Sequence, residues 1–160
     1  FKPSDNVLLN YSTFIGTDKP DSASLMRFFH DFYGIFALTD QLSLTLGFDI
    51  GTEEQSPTGN GTNTWYSPAG ILAYKFNNKW SVAGRAEYYN DKNGVIIGTG
   101  TPNGFQTWGM SINADYAIRS NAVWRIEAKT YNSKDNIFVK GDQGITSGST
   151  VLVTSLAVSF

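Results

Sequence analysis

The chain of 160 residues holds no cysteine, a single histidine and only 5 prolines, and charged residues make up 16% of it. Without cysteine there is no disulfide framework, no thiol chemistry and no thiolate metal site. A net charge of -2 excludes the strongly basic surface that nucleic acid requires. No apolar run approaches the roughly 18 residues of a spanning helix. No secretory signal is visible either. The first residue is Phe1 and not Met, which predicts that a front portion precedes it.

What is present is aromatic, glycine-rich and alternating. Hydrophobic residues make up 41% and aromatics 14%, with 16 glycines. In "LSLTLGFDIGTEE", Leu42, Leu44, Leu46, Phe48 and Ile50 alternate with Ser43, Thr45, Gly47, Asp49 and Gly51. A strand sends successive side chains to opposite faces, so one face is wholly apolar and the other small or polar. The pattern recurs in "WSVAGRAEYYN" (80–90), "QTWGMSINADYA" (106–117), "AVWRIEAKTYN" (122–132) and "TVLVTSLAVSF" (150–160). Three further strands are expected over Val7 to Thr17, Ser24 to Leu38 and Thr64 to Phe76, the last with a bulge or irregular pairing at Pro68.

Eight strands and no helix follow, with short links at 39–41, 77–79 and 119–121. Long Gly-, Asn- and Asp-rich links fall at 53–63, 91–104 and 133–149, and the first loop, 18–23, lies at their end. Such alternation predicts an all-β, antiparallel up-and-down meander in one domain, 1–160.

Period-2 patterning alone does not say which face meets water, and a soluble barrel with the Leu42 face as its core is one solution. Other features favour a transmembrane β-barrel. Strands of about 11 residues, tilted near 45°, cover roughly 25 Å, the apolar height of an outer-membrane barrel. Phe76, Trp80, Tyr116 and Trp124 sit beside the short turns and Trp65, Tyr66, Tyr88 and Trp108 beside the long loops, as two aromatic belts. Arg27, Asp31, Asp49, Lys75, Arg85, Glu87, Asp115, Arg125, Glu127 and Lys129 occupy the polar phase and are expected to line a lumen. Five positive and five negative groups predict weak ion selectivity.

The run "WYSPAGILAYKFNNKWSVAGRAEYYNDKNGVI", with its Arg85-Ala86-Glu87-Tyr88-Tyr89 strand and Asp91, resembles the OmpL-like β-barrel porins of Gram-negative outer membranes. So do "WRIEAKTYNSKDNIF" and the closing "TSLAVSF". The resemblance implies an outer-membrane, porin-like diffusion channel for small polar solutes. It also implies that Leu156, Val158 and Phe160 form a signal for the barrel assembly machinery, with Phe160 at a periplasmic end. Members of that family are longer, so the eight strands are either the C-terminal part of a larger barrel or a small closed one. A closed barrel would act as an anchor, an adhesin or a subunit of an outer-membrane complex; a lipocalin-like ligand-binding barrel is the soluble alternative. The bilayer and other outer-membrane proteins are the expected partners; nucleic acid is not.

No enzyme, cofactor or metal site is expected. His30 falls in the apolar phase with Phe28 and Phe32 while Asp31 points to the opposite face, so no catalytic dyad forms and a packing or interfacial role is expected. Arg85 with Glu87, and Arg125 with Glu127 and Lys129, read as a structural ladder of ion pairs and not as acid–base pairs. Asp91, Asn93, Asp135 and Asp142 match no full calcium loop and read as hydrated turns. The glycosylation-like patterns at Asn10 and Asn60 read as coincidence, and "GTGTPNG" precedes no helix, so it is no phosphate cradle.

Overall fold

The computed structural model describes residues 1–21, 24–141 and 144–159. Expectations for Phe160, for Asp142 and for residues 22–23 of the first loop lie outside the described residues. Eight long strands form the main sheet: β1 (Val7–Gly16), β2 (Arg27–Ala37), β3 (Leu42–Glu54), β4 (Thr62–Lys75), β5 (Trp80–Asp91), β6 (Phe105–Arg119), β7 (Ala122–Ser133) and β10 (Gly148–Val158). Two short strands, β8 (Phe138–Val139) and β9 (Ile145–Thr146), make a hairpin within the last long loop. The sequence predicts only a long link over 133–149, because two-residue strands carry no periodic signal.

Every long strand pairs antiparallel with its neighbour in chain order, β1-β2-β3-β4-β5-β6-β7-β10. The short turns are built by side chains that imitate backbone acceptors. Thr39 Oγ1 accepts from the amides of Gln41 and Leu42, and Asn77 Oδ1 from those of Lys79 and Trp80. At the third, the register shifts between Ala117 and Arg119.

At Pro68 the irregularity takes the form of an interrupted pairing and not of a bulge. Phe48 pairs with Pro68 on the β3 side, while toward β5 the ladder omits positions 67 and 68 and resumes at Ala69 with its register unchanged. Proline lacks one donor, so it costs the ladder a rung without forcing in an extra residue.

Among the described residues the sheet is not closed into a barrel: β1 and β10 form its two edges and do not pair with each other. The Leu9 amide donates to Phe1 O at 2.8 Å, and the Phe1 amine donates back to Leu9 O at 2.9 Å. These bonds occupy the β1 edge where another strand would dock.

The register carries one face continuously across the sheet. Asp31 opposes Asp49, Asp49 opposes Ser67, Ile71 opposes Arg85, Arg85 opposes Ser111 and Ser111 opposes Lys129. The buried residues Glu53, Trp65, Asp91, Thr107 and Ser133 all belong to this face, which is therefore the covered, inner one. Trp65 is the only buried large hydrophobic side chain among the described residues. The opposite face, with Leu46, Leu72, Met110, Ile112, Leu152 and Leu156, stands exposed. A water-soluble sandwich or barrel would have buried that row.

Candidate functional site: the inner face of the sheet

All ten charged residues expected in the polar phase lie on the inner face, as strand parity and the register require. Their pairing is richer than a simple ladder. Arg85 Nε donates to Glu87 Oε2 at 2.9 Å within β5, as expected. Arg125 instead reaches across to β6, donating from Nε and Nη2 to the two carboxylate oxygens of Asp115, each at 2.7 Å. Two parallel bonds suit a planar guanidinium against a carboxylate and outcompete the neighbouring Glu127 on its own strand. Asn113 Nδ2 also donates to Asp115 Oδ1 at 3.0 Å.

Lys129 on β7 approaches Glu87 on β5 at 3.6 Å, across the intervening β6. Gly109 makes that reach possible: a Cβ there would lie 2.7 Å from Glu87 Oε1 and 3.1 Å from the Tyr131 ring. The Lys129 ammonium also lies 4.9 Å from the centre of the Tyr131 ring.

Near the long loops a second cluster forms. Arg27 Nε donates to Glu53 Oε2 at 2.9 Å, Nη2 reaches the same oxygen, and Nη1 bonds Asp18. Lys19 approaches the other oxygen of Glu53 at 3.6 Å. Arg27 stacks over Trp65 with its guanidinium carbon 5.3 Å from the ring centre.

Trp65 thus departs from the expected aromatic belt. It opposes Gly51 in the register, where a Cβ would collide with the indole, so the ring lies on bare inner-face backbone. Its odd number shares the phase of Lys75, a signal already present in the sequence and masked by the neighbouring Tyr66. Glu53 was also missed, although it repeats the phase of Asp49.

Six of the other seven belt residues fall on the apolar face by parity and register, and Phe76, just past the end of β4, packs edge-on against Tyr74 at 5.0 Å. Trp80 packs tilted against Tyr116, ring centres 4.7 Å apart, beside the short turns, and Trp124 Nε1 donates to Thr154 Oγ1 at 2.7 Å. Tyr66, Tyr88 and Trp108 form a second row, with centroid distances of 6.2 and 4.8 Å. Leu156 and Val158 are exposed on β10. His30, on the apolar face, takes Tyr11 Oη at 2.8 Å and Thr13 Oγ1 at 3.3 Å on Nδ1.

The loop after β5 folds over the inner face, contrary to the expected hydrated turn. Asp91 is fully buried, and its carboxylate accepts the amides of Val95, Ile96 and Ile97 at 2.9, 2.7 and 2.8 Å. Three amide donors replace the water an exposed carboxylate would hold. Gly104 closes the loop with φ of 61°, where a Cβ would meet the Asp91 and Lys92 carbonyls. Asp135, in the next long loop, accepts the Asn103 amide at 2.9 Å and Asn103 Nδ2 at 2.8 Å. Those donors hold its carboxyl below the ordinary value of 3.8. Among the described residues, no group of His, Asp or Glu has the geometry to hold a metal ion.

No curated protein and no solved structure matches the chain. The model of the family described as "Putative beta-barrel porin-2, OmpL-like" matches residues 1–160, the whole chain. Long antiparallel strands, an exposed apolar face and a charged inner face accord with that match, and the protein belongs to the OmpL-like β-barrel porin family.

Proposed function

We propose that this chain forms wall of an outer-membrane porin that passes small polar solutes by diffusion, with the inner face bordering the water path. The observation that carries this reading is the reversal of the usual soluble arrangement. The most exposed apolar side chains of the long strands, Leu152, Ile112, Ile15 and Leu156, stand on one face, while the ion pairs and the buried Glu53, Trp65, Asp91, Thr107 and Ser133 occupy the other, where Ile35, Val151 and Val153 are also exposed. Hydrocarbon is the medium that such an outer face suits, and a hydrogen-bonded β-wall is one of two ways to cross it. On this reading the two aromatic rows meet the two interfaces, Leu156, Val158 and Phe160 serve assembly, and no side chain does covalent chemistry. The exposure of the Leu42-phase row argues against a lipocalin-like barrel, whose lumen that row would line.

The inward fold of the β5–β6 loop favours one further reading. A closed eight-stranded barrel, its interior filled by side chains and this loop, would conduct nothing and would serve as an anchor, adhesin or subunit. Planar-bilayer recording of the full-length protein separates the two. The porin reading expects discrete conductance steps; their absence from folded, inserted protein would sink it.

A further inference from the structure

Between the loop after β5 and the sheet lies an inner-face cavity of about 320 Å³. Its walls are Phe14, Phe29, Tyr89, Ile96 and Trp65, and its charged residues are Asp49 and Arg27. The two charges are not equivalent. Arg27 is engaged by Glu53 and Asp18, so its guanidinium has little left for an incoming anion. Asp49 faces Asp31 across the β2–β3 ladder. Among the described residues Asp49 takes part in no ion pair with a lysine or arginine, and its side-chain hydrogen-bonding neighbour is Asp31. The uncompensated charge of the cavity is therefore negative.

Aromatic faces attract cations through their quadrupoles, most strongly where water is excluded. The volume lies at the small end of ligand pockets, about 300–1,000 Å³, enough for one ring or a compact alkyl body. An anion would meet an arginine already paired with two carboxylates and a third, repelling carboxylate. A neutral apolar molecule would gain nothing from Asp49.

We infer that this cavity binds a small organic cation with an apolar body, its ammonium on Asp49 and its body among Phe14, Phe29, Tyr89 and Ile96. The inference rests on the porin reading in making the inner face accessible to solutes, and it narrows the solute class that dwells there. Asp49 fixes charge, and the aromatic walls select against small hydrated ions.

The test uses the full-length protein in detergent, with benzylammonium as probe, benzoate as the anionic ring and benzyl alcohol as the neutral one. Tryptophan fluorescence follows binding, since Trp65 lines the cavity. Saturable binding of benzylammonium is expected, with benzoate and benzyl alcohol at least about tenfold weaker, the scale of one charged contact. Asp49→Asn should weaken benzylammonium by a similar factor. Asp31→Asn, outside the cavity wall, should weaken it less. Equal binding of all three rings, or unchanged affinity in Asp49→Asn, overturns the inference. Conductance steps without such binding leave the porin reading standing alone, and Asp49-dependent binding without steps leaves only the cavity.

Discussion

Ile112 offers the sharpest measurement of which medium bathes the apolar face. It is the central residue of β6, 63% exposed, and four positions from each belt residue of that strand, Trp108 and Tyr116. Four residues at about 3.4 Å each, on a strand tilted near 40°, put each belt roughly 10 Å above or below it. Ile112 therefore sits at the middle of the apolar band. Arginine at the midplane of a membrane barrel costs about 2 to 4 kcal/mol, falling to about 0 to 1 near the interfaces. Ile112→Arg should lose about that larger amount in guanidinium unfolding of the full-length protein inserted in phospholipid vesicles. Ile118→Arg, beyond the Tyr116 row, should lose less than about 1 kcal/mol. In water, both substitutions at exposed positions would fall within about 0.5 kcal/mol of zero. Equal, near-zero effects at the two sites would refute the assignment of this face to lipid.

Asp91→Ala removes the acceptor of three amides and should destabilise the β5–β6 loop by about 2 kcal/mol or more; faster hydrogen exchange at Ile96 and Ile97 would report it, and unchanged protection would refute it. The Asp135 carboxyl sits below its ordinary value in the folded protein, so the tie it makes to Asn103 is fully present above about pH 4 and is lost as pH falls through the lowered value. Exchange at the Asn103 amide should therefore show no pH-dependent opening, after correction for intrinsic rates, between pH 5 and 8, and opening only in more acid solution.

The strands were legible because parity is a local property. Once Leu42 to Ile50 set the apolar phase of β3, Asp49 and Glu53 had to share the other face, and the same count placed Arg85, Asp115 and Arg125. The short links were legible as breaks in the alternation, and the side chains that build two of them, Thr39 and Asn77, act within three residues. Relations between distant segments were not. The choice of Asp115 over Glu127 by Arg125 depends on which residue of β6 lies opposite, and register is invisible in a single strand. The burial of Asp91 depends on a loop folding back over a face formed by other strands. Whether β1 and β10 pair is decided by backbone groups at two edges far apart in the chain, to which side-chain pattern contributes nothing. Trp65 is the instructive miss: its phase was readable, but proximity to the loops outweighed it.

The missing side chain at Gly109 acts on alignment as well as on charge. The smallest slip of β6 that keeps its inner face inward is two residues, and it would bring Thr107 or Ser111 beneath Glu87 and Tyr131. Either would push a Cβ into atoms that now meet over an empty spot, while parting Lys129 from Glu87. This strand is held in place by a gap as much as by contacts, and filling the gap would favour misaligned neighbours even with every backbone rung intact.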